Sequence, residues 1–300
     1  MYFHRNTLIP ARSSWRWNFV LLILILTPIA TQAGEFDASV APKGHYLLRI
    51  NPKIYFTSAY FSDDGKPANL DTVTGLLYFE VPVHVQYGLS GALSIGAIVP
   101  LGWTYQEIQS DIRPDPIHRL AVRELWLTVQ HRWLTLPFVS SSSLRIKIPL
   151  SKKKDWEDGL RIGDGQVDVY PIYYIDYFSK LRYWYTEMTI GYKYRLKTGK
   201  IKPLDEFNFK TQLGYELIPD LQVRFFMYAG LTEFRNGEFE EFEGDTLEFF
   251  EKEGRLYTFG YGVSLWPRPS LRLEMATGGE WFGRNQYRGM RWLVGITKII

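Results

Sequence analysis

Hydrophobic and polar positions alternate along residues 72–105, and this segment sets the pattern for the rest of the chain. One face of its first half is apolar and consists of Leu77, Phe79, Val81, Val83, Val85 and Tyr87. After a tight turn at 88–91 the apolar face resumes with Leu93, Ile95, Ala97, Val99, Leu101, Trp103 and Tyr105. A soluble sandwich also alternates, but its strands usually run about 5–6 residues, whereas a tilted membrane-spanning strand needs roughly 9–11. The length and the aromatic ends of the apolar faces therefore favour a membrane-spanning β-hairpin.

The same alternation recurs and predicts about twelve antiparallel strands. The ten further segments are 45–59, 120–133, 144–150, 166–178, 183–196, 206–217, 221–234, 255–266, 270–277 and 287–300. Their connections alternate between short (88–91, 179–181, 218–220, 267–269) and long (61–71, 106–117, 151–165, 235–254), and only 134–143 is too long for a short turn. Because only helices and closed barrels satisfy every backbone group in lipid, the pattern predicts an all-β fold. We expect a transmembrane, up-and-down β-barrel with both termini in the periplasm.

The first 33 residues predict a secretory signal peptide. A basic stretch with Arg5, Arg12 and Arg16 precedes the apolar run 19–30, and the small residue Ala33 supplies a cleavage site. The run is too short for a membrane anchor, since a dozen helical residues rise ~18 Å against a hydrocarbon core of ~30 Å. We expect secretion by the general route, with 34–300 remaining as one outer-membrane barrel domain.

Removing that segment changes the charge balance. The whole chain has 35 Lys and Arg against 32 Asp and Glu, and the segment removed holds three of the basic residues. The remaining chain balances at 32 of each sign, so the basic isoelectric point gives no support for nucleic-acid binding. The chain has no cysteine, which excludes disulfides, thiolate metal sites and a lipoprotein anchor.

Catalytic and metal chemistry find no support in the histidines. An outer-membrane phospholipase needs a histidine beside a serine, typically as His-x-Ser on one strand face. None of His45, His84, His118 and His131 has serine two residues on, and no pair of them has metal-ligand spacing. Glu80 shares the face of His84 but lies ~13 Å away along the strand. We therefore predict no enzyme activity, no cofactor and no metal.

Two charged loop segments are interpreted as solvated surface. Residues 238–253 hold eight acids among phenylalanines, but without the regular ligand spacing of a calcium loop. A solvated outer loop is therefore favoured over a calcium-binding or lid-forming segment. Lys152–Lys154 is likewise favoured as a solvated loop that touches lipid phosphates.

Charged side chains on the predicted inward faces carry the remaining functional signal. The candidates for lining the lumen are Glu80, His84, Glu124, Arg132, Arg145, Lys147, Asp168, Asp176, Glu187, Lys193, Arg195, Glu216, Arg224, Arg272 and Arg291. Both signs are plentiful, so the set fits a narrow water-filled channel whose charge rings select the solute. It fits equally a lumen closed by paired charges, which a barrel of this size permits. The sequence leaves both possibilities open.

Three motifs, spread over about two-thirds of the chain beyond the signal peptide, carry a family resemblance. They are VPVHVQYGLSGALSIGAIVPL at 81–101; LRIKIPLS at 144–151 with GLRIGDGQVDV at 159–169; and YWYTEMTIGYKYRLKTG at 183–199 with LDEFNFKTQLGYEL at 204–217. These motifs resemble the outer-membrane family named for the MetA pathway of phenol degradation, whose members are described as transporters. The chain departs from the family at Pro149-Leu150-Ser151, where such proteins tend to have Pro-Thr-Gly. The resemblance implies a β-barrel that transports hydrophobic compounds.

Together these observations predict an outer-membrane channel or transporter for passive uptake of a small solute, hydrophobic or aromatic if the resemblance holds. One alternative is a structural or adhesive barrel with a closed lumen that acts through its outer loops. A less supported alternative is a lipid-modifying enzyme. The expected partners are outer-membrane lipids and lipopolysaccharide, the barrel-assembly machinery and the solute, but not nucleic acid.

Overall fold

Seventeen β-strands form in the part of the chain that this computed structural model describes. The described residues are 38–69, 73–108, 117–122, 124–135, 137–150, 166–179, 183–197, 201–218, 222–239 and 253–300. The strands are β1 (Tyr46–Ile50), β2 (Lys53–Phe61), β3 (Pro67–Asn69), β4 (Val73–Gly88), β5 (Leu93–Ile108), β6 (Ile117–Val122), β7 (Glu124–Leu134), β8 (Phe138–Pro149), β9 (Asp168–Phe178), β10 (Trp184–Arg195), β11 (Ile201–Lys202), β12 (Asp205–Ile218), β13 (Val223–Arg235), β14 (Glu238–Phe239), β15 (Gly254–Arg268), β16 (Leu271–Arg284) and β17 (Gln286–Ile299). The predicted signal peptide, Lys152–Lys154 and most of the acidic loop lie outside the described residues.

Twelve strand positions close into one antiparallel barrel. The last strand, β17, pairs with β1 and β2, and this pairing joins the two edges of the sheet. Strands β1 and β2 share one position in the wall, because both pair with β4 and β17. Strands β6 and β7 share another, because they pair with successive parts of β5. Among the described strands, β3 pairs only with β2, and β11 pairs with β14 in a separate small sheet. The predicted all-β fold of about twelve antiparallel strands is confirmed.

Prolines interrupt the wall at two places. Pro52 follows Asn51 in the gap between β1 and β2, and proline has no N–H with which to continue the ladder. The N–H of Asn51 instead donates to the carbonyl of Pro82 at 3.2 Å. In the β4–β5 ladder Pro82 lies directly opposite Pro100. Beyond this point β5 changes partner from β7 to β6, and neither proline supplies an N–H to the ladder here.

Side chains alternate between the lumen and the outer surface. In β8, Leu144, Ile146 and Ile148 are exposed on the outside, while Arg145 and Lys147 between them are buried inside. The outer surface is therefore apolar and the lumen polar, as a membrane-spanning barrel requires. We call the ends of the barrel the short-turn end, where β4 meets β5, and the long-loop end, where 151–165 connects β8 to β9. No helix in the described part of the chain is long and apolar enough to span a membrane.

The structure corrects three segment boundaries. Strand β8 begins at Phe138 rather than at residue 144, so the connection after β7 is a short turn and not the long one expected for 134–143. Strand β16 continues to Arg284 instead of ending at Thr277, and Asn285 alone separates it from β17. The predicted first strand 45–59 is divided at the Asn51–Pro52 break.

Candidate functional site

Residues Ala38–Gly44, which we call the plug, lie inside the barrel at its short-turn end. Ala38 and Ala41 are completely buried although they precede the first strand. The backbone N–H of Ala38 donates to Oδ2 of Asp176 on β9 at 3.0 Å. At the other end of the plug, the N–H of Gly44 donates to the carbonyl of Gly88 at 2.8 Å. The sequence of 34–44 shows no strong side-chain pattern, and the described part of this stretch is an ordered element of the lumen.

The plug crosses the lumen between two separated parts of the wall. Ala38 packs against Tyr170, Ile172 and Tyr174, the inward side chains of β9. Gly88, on β4, lies so close to the plug that a Cβ there would come within 2.1 Å of the carbonyl oxygen of Pro42. Because β4 and β9 are four positions apart around the wall, the plug occupies the lumen rather than lying along one strand.

Uncharged polar side chains line the wall beside the plug. Nε2 of Gln86 donates to Oε1 of Gln130 at 2.8 Å, and Nε2 of Gln130 donates to the hydroxyl of Ser141 at 3.0 Å. The hydroxyls of Thr128 and Ser143, each two residues along its strand from Gln130 and Ser141, lie 3.1 Å apart. This network links β4, β7 and β8 and satisfies buried polar groups, which would otherwise destabilise the barrel.

A cavity of about 290 Å³, which we call the chamber, adjoins the plug. Tyr170 belongs to both, since it contacts Ala38 and also lines the chamber. The wall built by β4, β5 and β7 presents Pro82, Ile98 and Trp126 to the chamber. Most of the remaining wall is polar and includes Lys53, Glu80, Glu124, Arg145, Lys193, Glu206, Asn208, Lys210, Thr232, Thr258, Glu280 and Arg291, with Phe209 and Leu231 as apolar exceptions. The chamber thus has an apolar side and a charged side.

Ion pairs between neighbouring strands neutralise much of the charged side. Lys53 and Glu80 are 2.9 Å apart across β2 and β4. Lys193 and Glu206 are 2.7 Å apart across β10 and β12. A third pair joins Arg291 to Glu280 at 2.5 Å. Because these cations already have a carboxylate partner, the chamber shows no ring of one sign.

A buried ion pair next to the chamber joins β8 to β9. Nζ of Lys147 lies 2.7 Å from Oδ2 of Asp168, and both side chains are at most 2% exposed. The same ammonium lies 6.0 Å from the centre of the Trp126 ring, which is within cation–π range. The pair therefore holds the tryptophan in place as well as joining two strands.

Aromatic rings lie flat against the wall where glycines leave room for them. Tyr170 covers Gly191, and a Cβ at that glycine would come within 2.6 Å of the ring. Tyr228 covers Gly260 and donates its hydroxyl to the carbonyl of Thr277 at 2.9 Å. Both rings therefore occupy gaps in the wall that the glycines leave open.

The fifteen predicted lumen residues fall into four groups. Five of them line the chamber: Glu80, Glu124, Arg145, Lys193 and Arg291. Buried around the chamber are His84, Lys147 and Asp168, with Arg195 paired to Glu206 at its long-loop side. Asp176 holds the plug, and Glu187 is its partner in the β9–β10 register.

The remaining four lie at the short-turn end. Arg224 lies 3.9 Å from Glu216. The guanidinium groups of Arg224 and Arg272 lie 4.4 and 5.1 Å from the centre of the Trp266 ring. Arg132 donates to the carbonyl of Gly91 in the β4–β5 turn and does not line the chamber.

Sequence reasoning missed several functional candidates. Glu280 lies on the part of β16 that was predicted to be loop, and Lys53 lies just after the Asn51–Pro52 break. Glu206 was taken as a strand end. Among the described residues no group of three or more His, Asp or Glu side chains is arranged to hold a metal ion.

Comparison with known proteins finds likeness in fold. No protein-family model and no curated protein sequence matches the chain. The COG4313 outer membrane channel from Pseudomonas putida F1 matches with a TM-score of 0.70 and 13% identity, over 90% of this chain and 100% of that one. The NanC porin matches at 0.48 with 7% identity over 84% of this chain and 98% of its own, and the CymD monoaromatic hydrocarbon channel at 0.42 with 10% identity over 86% and 89%. The first of these shares the architecture of an outer-membrane barrel, and membership of the phenol-degradation family stays a prediction.

Proposed function

We propose that this protein is an outer-membrane channel for the passive uptake of a small solute, with the short-turn end and the plug on the periplasmic side. The observation that carries the proposal is the chamber, a space of about 290 Å³ enclosed by the wall and bordered by the plug. An apolar, lipid-compatible outer surface and short turns at one end support the placement in the membrane. The plug makes the state described here a closed one, so transport requires the plug to move.

The proposed solute is a single aromatic ring of low charge. A cavity of ~150 Å³ holds benzene, so the chamber is large enough for one substituted ring. Trp126 and Tyr170 supply aromatic contacts, and Pro82 and Ile98 extend the apolar side. Three of the chamber's cations, Lys53, Lys193 and Arg291, already pair with carboxylates, so they contribute little to the binding of a charged solute.

Single-channel conductance of the refolded chain in a planar bilayer tests the channel. We expect small currents from the full chain beyond the signal peptide, and larger and longer openings after deletion of residues 38–44. Arg145→Ala is expected to shift ion selectivity, because Arg145 is a chamber cation. A well-folded deletion variant that stays silent would contradict the proposal.

Interruption of the current by benzamide, a neutral aromatic probe, tests the solute class. We expect Trp126→Ala to weaken the block roughly two- to tenfold, which corresponds to one lost aromatic contact. Trp281→Ala is the matched control, because that tryptophan is exposed on the outer surface. If benzamide blocks both variants and the unmodified chain equally, the proposed recognition of an aromatic solute is contradicted, whereas the channel function is not.

The second candidate function is a structural or adhesive barrel with a permanently closed lumen. The plug and the glutamine–serine network favour it, since both fill the lumen at the short-turn end. Such a barrel gives no current even without residues 38–44, so the conductance experiment separates the two functions.

A further inference from the structure

Three outward-facing arginines form a patch at the long-loop end of the barrel. They are Arg235 at the end of β13, Arg255 at the start of β15 and Arg284 at the end of β16. Arg255 alternates with buried Leu256 and is itself exposed, so it lies on the outer surface. Arg255 is opposite Glu233 in the β13–β15 register and opposite Arg284 in the β15–β16 register. The three arginines therefore belong to one continuous surface, which we call the arginine patch.

Among the described residues, the arginine patch has more positive charge than its neighbours neutralise. The two oxygens of Glu233 each hold one arginine, Arg255 at 2.7 Å and Arg235 at 2.6 Å. Arg284 makes no ion pair with any of the residues that the structure describes. Like charges directly opposite each other on neighbouring strands are destabilising. The Arg255–Arg284 pair thus creates a place where an external anion is favoured.

The position of the arginine patch relative to the apolar outer surface indicates which anion it would bind. Below Arg255 and Arg284 the outer face becomes aromatic, with Tyr257, Phe259 and the strongly exposed Phe282. Such a girdle marks the boundary of the hydrocarbon layer. Two residues along a strand span ~7 Å, so the guanidinium groups lie just outside that boundary, at the level of lipid headgroups. Guanidinium groups bind phosphate oxygens in a bidentate manner, with a geometry that suits this anion.

We propose that the arginine patch binds a phosphate group of a lipopolysaccharide molecule in the outer leaflet, between Arg255 and Arg284. The acyl chains of the same molecule then lie on the aromatic surface formed by Tyr257, Phe259 and Phe282. This inference rests on the outer-membrane placement in the proposed function, but not on a conducting lumen. If the patch binds in this way, one lipopolysaccharide molecule is bound at a defined site on the side of the barrel formed by β13, β15 and β16.

Binding of lipid A to the folded barrel, measured by native mass spectrometry from detergent micelles, tests the proposal. The probes are bis-phosphorylated lipid A and the same lipid after removal of both phosphates. We expect Arg284→Gln to bind the phosphorylated lipid roughly fivefold more weakly, as for the loss of one cation at a lipid surface. Arg268→Gln is the matched control, because this exposed arginine is on the same strand, β15, at the opposite end of the barrel.

A variant of opposite sign separates binding from misfolding. Glu233→Gln removes the carboxylate that competes with the lipid phosphate for Arg255. We expect it to bind the phosphorylated lipid more tightly than the unmodified chain does. Equal affinity for the two lipid A probes, or unchanged binding by Arg284→Gln, would overturn the proposal. Conductance is measured separately, so a barrel that binds lipid A but never conducts would contradict only the channel function.

Discussion

The carboxylate of Asp176 accepts a hydrogen bond from the backbone N–H of Ala38 at 3.0 Å, and this bond ties the plug to β9. It joins residues 138 positions apart in the sequence and is buried inside the lumen. This acceptor in the wall therefore contributes to closure of the barrel at this end, together with the attachment of the plug to Gly88.

Asp176→Ala is expected to increase the time that the channel spends open. The substitution leaves the N–H of Ala38 buried without its acceptor, which costs about 1–3 kcal/mol. At least a roughly fivefold rise in open probability follows from that cost. Single-channel recording measures it, and Glu233→Ala on the outer surface serves as the control. Unchanged gating would show that packing alone holds the plug.

Gly88→Ala tests the other attachment of the plug. A Cβ at this position would approach the carbonyl oxygens of Pro42 and Ala41 at 2.1 and 2.5 Å, so the plug backbone has to shift. We expect the same increase in opening as for Asp176→Ala. Gly91→Ala is a matched control in the adjacent turn, because a Cβ there meets no atom within 4 Å.

Gly260→Ala is expected to destabilise the barrel by about 1–3 kcal/mol, as in other overpacked interiors. The added Cβ would come within 1.9 Å of both the Tyr228 hydroxyl and the carbonyl oxygen of Thr277, and the latter belongs to the wall itself. Guanidinium unfolding from lipid vesicles measures the change. A stability equal to that of Gly91→Ala would show that Tyr228 moves away freely.

Lys147→Met is expected to lower stability by about 3–5 kcal/mol, since it leaves the buried carboxylate of Asp168 without its lysine. The double variant Lys147→Met with Asp168→Leu removes both charges and is expected to recover most of the loss. Lys66→Met is the control, because Lys66 is 82% exposed and such surface changes fall within about 0.5 kcal/mol. A double variant as unstable as the single one would contradict the buried-charge explanation.

The loop at 62–66 is expected to resist acid. Hydrogen bonds from the Lys66 ammonium, the Ser62 hydroxyl and the Lys66 backbone N–H hold the pKa of Asp64 well below its usual range. Because that pKa is depressed, the carboxylate stabilises the turn at neutral pH and keeps doing so below the ordinary aspartate value of about 3.9. The contribution is lost only as the pH falls through the lowered pKa.

Lys66 gives the same turn an alkaline limit. Its pKa is raised by the hydrogen bond to Asp64, so its contribution is present below the ordinary lysine value and is lost as the pH rises through the raised one. Carboxyl NMR of Asp64 during acid titration measures the first effect, and Lys66→Met is expected to move the midpoint upward. A midpoint at the ordinary aspartate value in the unmodified chain would contradict the structure.

The strands of the wall could be predicted from the sequence because lipid lies outside the barrel and polar groups lie inside it. Apolar and polar side chains must therefore alternate along each strand with a period of two. The rule failed where side chains do not follow that division. Serines 140–143 resemble a loop, yet Ser141 and Ser143 point inward to Gln130 and Thr128 and so belong to β8. Gly278 and Gly279 resemble a turn, yet β16 continues through them, and Tyr228 lies where a side chain at Gly278 would be.

The plug could not be predicted from side-chain pattern. Ala38 reaches Asp176 with its backbone N–H, and the carbonyls of Ala41 and Pro42 lie against Gly88. Backbone groups are the same in every residue, so such contacts leave no signature in the amino-acid types. Of the chamber, only the charged positions were predicted. Their ion pairs could not be predicted, because these depend on which strands become neighbours in the folded barrel.

The seam between β1 and β17 has a consequence for the order of assembly. It pairs Leu47 with Ile299, which lie far apart in the sequence, and folds dominated by such distant pairings form slowly. The plug is synthesised before every strand, but the lumen that receives it exists only after the seam has closed. We therefore expect plug insertion to be a late kinetic step, which follows wall closure and converts a leaky assembly intermediate into a sealed barrel.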